Sequence, residues 1–136
     1  MHATKTSGNH SLNSMTKTRT LPWISTIIFA ALFVVILVMA YTGNLPAELQ
    51  AIPNYDKPGH IILYSVAAYL GHRILQKRRI RFLRMLIPLW ILIFGTFTVV
   101  EEVIQGFSPN RSLDALDLVC SGLGIALGYW LAERED

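Results

Sequence analysis

Apolar residues in this chain form four long runs, and most of its polar residues are concentrated between them. The runs cover residues 21–41, 58–75, 82–101 and 113–132. A helix needs about 20 predominantly apolar residues to cross the hydrocarbon core of a membrane. The pattern therefore predicts an all-α membrane protein, with four transmembrane helices in a compact bundle over residues 21–132.

The first run, over residues 21–41, has an aromatic residue near each end. Trp23 and Tyr41 lie where interfacial aromatic side chains are common, and Pro22 suits a first helical turn. A cleavable signal peptide is the alternative, but its apolar core is usually about 7–15 residues long. We favour a retained span, preceded by a disordered polar tail over residues 1–20.

The second run is the most polar of the four. Polar side chains are costly to place in lipid, so we expect this helix to lie inside the bundle. Asp56, just before the run, is predicted to cap the start of the helix. The polar residues of the run are His60, Tyr64, Ser65, Tyr69 and His72.

Composition supports the membrane interpretation. Of the 136 residues, 52% are hydrophobic and 15% are charged, whereas a soluble domain has about 25% charged residues. The length fits one domain. The single cysteine, Cys120, excludes an intrachain disulfide.

The distribution of basic residues predicts the orientation in the membrane. Of the 12 lysines and arginines, three lie in residues 1–20 and six in residues 73–84. Because basic loops stay in the cytoplasm, both termini, including the tail 133–136, are predicted to be cytoplasmic. Anionic lipid headgroups account for the basic connector, so we do not expect nucleic-acid binding. The loops around Asp56–His60 and Glu101–Asp117 then share the opposite face.

Polar residues at that opposite face recur at helical spacing. Residues three, four or seven apart share one side of a helix. This spacing groups Lys57 with His60 and Tyr64, and it groups Gln105 with both Glu101 and Glu102. A third stripe, whose glycines permit close helix packing, consists of Asp114, Asp117, Ser121, Gly124 and Gly128.

Several roles are open for this constellation. Ion pairs such as Glu102 with Arg111, or Asp117 with Lys57, could hold helix ends together without any chemistry. His60 with carboxylates could bind a divalent metal, although no compact ligand motif is present. His60 could also act as a general base, with Arg111 binding a phosphate.

The same residues resemble the VanZ-like family of small bacterial membrane proteins. Its pattern D-K-x-x-H-x-x-x-Y is matched from Asp56 to Tyr64, its E-x-x-Q by Glu102 and Gln105, and its R-x-x-D-x-x-D from Arg111 to Asp117. Glu101 stands where relatives often have a second acid. The chain departs from the pattern at Ser121, where the family usually has Asn. The resemblance covers about residues 54–130.

The resemblance implies a multi-pass protein of the bacterial cytoplasmic membrane that faces the cell envelope. The relative that gave the family its name is associated with resistance to the glycopeptide antibiotic teicoplanin. Our leading hypothesis is an extracytoplasmic site that binds an envelope component, either a glycan or a lipid-linked phosphate. The alternatives are a membrane-embedded hydrolase or transferase, and a non-catalytic structural or assembly protein.

Each predicted site residue has a role in the leading hypothesis. Arg111 and Lys57 would contact anionic groups of the ligand, and Gln105 and Tyr64 would donate hydrogen bonds to it. The catalytic candidates, which would position or protonate the ligand, are His60, Glu102 and Asp117. The remaining predicted ligand-binding residues are Asp56, Asp114 and Ser121. No cofactor is evident.

Overall fold

The computed structural model describes the backbone of residues 9–135 and the side chains of residues 22–135. This part of the chain is mostly helical, as predicted. Four long helices correspond to the four apolar runs, and a short helix and a β-hairpin lie between them. The elements are α1 (Asn9–Thr42), α2 (Ala47–Gln50), α3 (Asp56–Ile74), β1 (Arg79–Phe82), β2 (Met85–Pro88), α4 (Leu89–Gln105) and α5 (Ala115–Arg134).

Helix α1 begins at Asn9, well before the predicted start of the first span. Residues 9–20, predicted as a disordered tail, are helical, and residues 1–8 lie outside the described residues. Extending an existing helix avoids the cost of nucleation, so polar residues can continue an apolar helix. Pro22 therefore lies inside the helix rather than in its first turn. Its carbonyl accepts hydrogen bonds from the hydroxyls of Ser25 and Thr26, at 3.0 and 2.8 Å.

The β-hairpin corrects the all-α prediction and the predicted start of the third span at residue 82. Strands β1 and β2 are antiparallel, and Leu83 and Arg84 form the turn with φ angles of 46° and 69°. Pro88 has no amide hydrogen and disfavours a helical conformation at Ile87. The chain therefore stays extended through Ile87, and α4 begins only at Leu89.

Helices α3 and α5 form the closest contact in the bundle. A Cβ atom on Gly124 would lie 2.6 Å from the carbonyl oxygen of Ile61, and one on Gly128 would overlap the carbonyl oxygen of Ser65. Both positions therefore require glycine for the backbones to approach. This confirms the prediction that the glycine stripe of α5 permits close helix packing.

Helix α3 lies at the centre of the bundle and contacts α1, α4 and α5. Its apolar core residues pack with Phe94 of α4 and Ile125 of α5, and Phe33 of α1 packs against this cluster. Its buried polar residues include His60, Ser65 and His72. The prediction that the most polar run lies inside the bundle is confirmed.

Within the described residues, two helical segments are long and apolar enough to span a membrane, Pro22–Thr42 and Ala115–Arg134. The first has no buried residues in its most apolar window, whereas a third of the second is buried. Helix α4 has 17 residues because the hairpin takes the residues before it. At 1.5 Å per residue it is about 26 Å long.

Candidate functional site

The predicted site residues converge at one end of the bundle, where α3 and α5 begin and α4 ends. We call this region the acidic end, after its five carboxylate residues Asp56, Glu101, Glu102, Asp114 and Asp117. Hydrogen bonds, ion pairs and a ring contact link all ten predicted residues here. These residues are Asp56, Lys57, His60, Tyr64, Glu102, Gln105, Arg111, Asp114, Asp117 and Ser121.

Glu101 is a centre of this network, although the sequence analysis gave it less weight than Glu102. Its side chain accepts hydrogen bonds from the hydroxyls of Tyr41 and Tyr64, at 3.1 and 3.2 Å, and from the amide of Gln105. It is 4% exposed. Tyr41 was interpreted only as an interfacial aromatic, because nothing in its own helix indicates a partner 60 residues away.

Glu102 and Arg111 do not form the ion pair considered from the sequence. Arg111 donates to the side-chain oxygen of Gln105 at 3.0 Å. Glu102 accepts from the backbone amide of Asp114 at 2.9 Å and thereby ties the end of α4 to the start of α5. Arg111 is half-buried, so its guanidinium remains available to a ligand.

Lys57 faces three aspartates. Its Nζ atom lies 3.5 Å from Asp56, 3.3 Å from Asp114 and 3.6 Å from Asp117, so the predicted pairing with Asp117 is present. The hydrogen bond to Asp114 raises the pKa of Lys57. The backbone amide of Leu116, with Lys57, lowers the pKa of Asp114.

The aspartates differ from the prediction in their capping roles. Asp56 is the first residue of α3 rather than its cap, and the preceding residue, Tyr55, makes no side-chain cap bond. Asp114 caps α5 instead, since its carboxylate accepts from the amide of Leu116 at 2.8 Å. A capping carboxylate satisfies amide groups that have no partner within the helix.

His60 lies between Ser121 and Asp117 of α5. Its Nδ1 is 2.8 Å from the hydroxyl oxygen of Ser121, and its Nε2 is 3.9 Å from a carboxylate oxygen of Asp117. Its ring stacks on Tyr64, with centroids 5.3 Å apart. The hydroxyl of Ser121 is therefore the close hydrogen-bonding partner of the His60 ring.

A cavity of about 130 Å³ opens beside His60. Its lining is mostly apolar and comes largely from α1 and α3. It also includes Glu101, Gln105 and Arg111, together with Tyr64 of α3. A second, polar groove of about 350 Å³ lies next to it, and Asp56 and Arg111 line both. The acidic end therefore combines an apolar surface with hydrogen-bonding and charged groups.

A second polar cluster lies at the other end of α3 and α5, and we call it the basic end. It consists of His72, Arg73, Arg79, Glu133 and Glu135. His72 contacts Glu133 at 2.6 Å, Arg79 contacts the other oxygen of Glu133 at 2.9 Å, and Arg73 contacts Glu135 at 2.6 Å. This cluster was not predicted, because residues 133–136 were interpreted only as a charged tail.

Comparisons of the chain with protein-family models, with curated proteins and with solved structures found no match. The geometry of the acidic end, together with the sequence pattern, is therefore the basis for assigning a function.

Proposed function

We propose that this chain is a VanZ-like integral membrane protein that crosses the bacterial cytoplasmic membrane four times, with both termini in the cytoplasm. The two long apolar helices support membrane insertion. The basic hairpin, over 79–88, lies between α3 and α4 and suits the cytoplasmic surface. In this orientation the acidic end faces the cell envelope.

Helices α3 and α4 serve as the two shorter spans. The polar groups of α3 are buried by its neighbours, which removes the cost of exposing them to lipid. Helix α4 is shorter than the hydrocarbon core, which is about 30 Å thick, and local thinning of the bilayer accommodates such a mismatch at modest cost.

We further propose that the acidic end binds an envelope component with a polar head, either a glycan or a lipid-linked phosphate. The observation that carries this proposal is the mostly apolar cavity beside His60, whose lining also includes Arg111, Gln105 and Glu101. A ligand with a hydrocarbon chain and a polar head matches an apolar lining with a few polar groups. A role in envelope maintenance or glycopeptide resistance follows from the resemblance.

Individual residues have distinct roles in this binding. Arg111, which lines both the cavity and the groove, contacts anionic groups of the ligand, and so does Lys57. Tyr64 and Gln105, which line the cavity and donate to Glu101 in the structure, exchange these bonds for hydrogen bonds to the ligand. His60, which also lines the cavity, positions the ligand together with Glu102 and Asp117.

Mass spectrometry of the purified protein tests the ligand. We expect a lipid-linked glycan or phosphate to co-purify with the wild type and to be lost from Arg111→Gln and Tyr64→Phe. Arg84→Gln, in the exposed turn of the hairpin, is the matched control and should retain it. If Arg111→Gln and Arg84→Gln retain the same lipids as the wild type, the site does not bind them.

Labelling with a membrane-impermeant thiol reagent tests the orientation. In a Cys120→Ser background, Ser112→Cys reports on the acidic end and Leu83→Cys on the hairpin; both positions are exposed. We expect Ser112→Cys to react in intact cells and Leu83→Cys to react only after lysis. The reverse pattern would place the site in the cytoplasm and contradict an envelope ligand.

A hydrolase or transferase is the second candidate function, and the placement of His60 between Ser121 and Asp117 favours it. It ranks second because Ser121 is 1% exposed and does not line the cavity. A co-purified ligand that is converted to product by the wild type, but not by His60→Gln, would establish the enzyme. A purely structural protein would tolerate His60→Gln and bind no ligand.

A further inference from the structure

The acidic end has more negative than positive charge. Its five carboxylates are accompanied by two cationic side chains, Lys57 and Arg111. An anionic ligand that approaches Arg111 is therefore repelled by nearby carboxylates unless further positive charge is present. Burial strengthens this repulsion, since Glu101, Glu102 and Asp117 are each less than 5% exposed.

Three of the carboxylates surround a single point. Asp56, Asp114 and Asp117 each contribute one oxygen, and these oxygens all lie within 4.8 Å of one another. They come from the start of α3, the cap of α5 and the first turn of α5, so two packed helices fix their positions. The Nζ atom of Lys57 is 3.3–3.6 Å from all three residues, which shows that the point attracts a cation.

A buried oxygen of Asp117 provides an independent observation. The side chain is 5% exposed, and within the described part of the chain its Oδ1 atom has no hydrogen-bond partner. The Nζ atom of Lys57 lies 3.6 Å from this oxygen, which is too long for a hydrogen bond. Burying a carboxylate oxygen without a close partner is costly. A cation nearer than Lys57 would remove that cost.

We propose that Asp56, Asp114 and Asp117 bind one divalent cation of the oxygen-preferring class, such as Mg²⁺ or Mn²⁺. Carboxylates suit these ions. Three carboxylates and one lysine have a combined charge of −2, which the ion neutralises. Lys57 is 26% exposed at its side chain and turns towards solvent when the ion binds. The polar groove beside the cluster admits the water molecules that complete the coordination.

The role of the ion, though not the site itself, rests on the proposed function. Asp56 lines the cavity as well as the groove, and Arg111 lines both too. A divalent cation held at Asp56 and the guanidinium of Arg111 would therefore face the same ligand from two sides. This arrangement favours a phosphate over an uncharged glycan, because phosphate oxygens bind both groups.

Electron paramagnetic resonance of Mn²⁺ added to the full-length protein in detergent tests the site. We expect one bound Mn²⁺ per chain, displaced by excess Mg²⁺. Asp114→Asn should weaken binding at least tenfold while keeping the helix cap, since Asn also caps helices. Lys57→Gln should strengthen binding several-fold by removing the competing charge. Glu48→Gln, which removes an acid from α2, is the control and should bind as the wild type does.

Two results would overturn the proposal. One is that the wild type binds no Mn²⁺ at millimolar concentration, even if the Lys57→Gln variant does bind it. In that case Lys57 itself would be the counter-ion of the three aspartates in the natural protein. The other is equal binding by wild type and Asp114→Asn. Binding is measured without any lipid, so failure here leaves the lipid proposal standing. Conversely, Mn²⁺ binding without a co-purified lipid would support the ion site alone.

Discussion

The two ends of the α3–α5 pair use the same residue types in different proportions. At each end a histidine of α3 faces an acid of α5. His72 contacts Glu133 at 2.6 Å at the basic end, whereas His60 Nε2 is 3.9 Å from Asp117 at the acidic end. His72 is therefore paired closely with its acid, whereas the close contact of His60, at 2.8 Å, joins its Nδ1 to the hydroxyl oxygen of Ser121.

The two ends also differ in how many cationic side chains accompany their carboxylates. At the basic end each glutamate has its own arginine, Arg79 for Glu133 and Arg73 for Glu135. At the acidic end five carboxylates share two cationic side chains and border a cavity. Matched ion pairs tie helix ends together, whereas unmatched buried charge is costly to keep without a ligand. This comparison supports the proposal that the acidic end binds a ligand, whereas the ion pairs of the basic end hold helix ends together.

We expect the largest loss of stability from a change in the close contact between α3 and α5, the two helices that both ends share. Gly128→Ala puts a Cβ atom into the carbonyl oxygen of Ser65, so α3 and α5 must separate. We expect a loss of about 3 kcal/mol in unfolding free energy, measured by denaturation in detergent. Gly122→Ala is the matched control, because nothing lies within 4 Å of its added Cβ. Equal stability of the two variants would show that the helix contact is looser than described.

Removing the carboxylate of Glu133 at the basic end should lower the unfolding free energy without changing Mn²⁺ binding at the acidic end. Glu133→Ala leaves the buried Nε2 of His72 without its partner, and we expect a loss of about 1–3 kcal/mol in unfolding free energy. Glu135→Ala is the control, since its carboxylate is 56% exposed and its pairing with Arg73 contributes about 0–1 kcal/mol. Weaker Mn²⁺ binding by Glu133→Ala would show that the two ends are coupled.

Magnesium should stabilise the protein through the acidic end only. At a Mg²⁺ concentration ten times the dissociation constant, we expect about 1.4 kcal/mol of added unfolding free energy. Asp114→Asn should lose this increment, whereas Glu133→Ala should keep it. Melting curves recorded with Mg²⁺ and with a chelator give the comparison. A similar increment in Asp114→Asn would locate the ion elsewhere.

Neutralising Asp117, one of the three buried acids of the acidic end, should not lower the unfolding free energy as the change at the basic end does. Asp117→Asn removes a charge that lies close to Asp56 and Asp114, so we expect unfolding free energy without metal to stay equal or rise by up to about 1 kcal/mol. Mn²⁺ binding should fall at least tenfold. A loss of stability as large as that of Glu133→Ala would mean that Asp117 has a structural role, in contradiction of the comparison.

Helical spacing predicted which residues share a face but not which residues they contact. Periodicity placed Asp117, Ser121 and the two glycines on one side of α5, and the structure buries that side against α3. The bond from Tyr41 to Glu101 joins residues 60 positions apart, and nothing local to either residue specifies it. Arg111 is long and flexible, so its choice of Gln105 over Glu102 depends on the loop geometry.

The hairpin was missed for a different reason. Hydropathy measures apolar content and does not distinguish a strand from a helix in a short apolar run. The run from Phe82 to Pro88 contains Met, Leu and Ile, so it extended the predicted span. Pro88 was the available signal, because the residue before a proline is rarely helical. The four spans, the orientation and the family remain predictions.

The apolar lining of the cavity includes several residues of α1, and the most apolar window of this helix has no buried residues. For a lipid-linked ligand, this means that the hydrocarbon tail can stay among the lipid chains while its head is bound. Pulling such a tail into water would cost about 0.8 kcal/mol per methylene. The protein would therefore bind the head group at the edge of the bilayer while the lipid remains in the membrane.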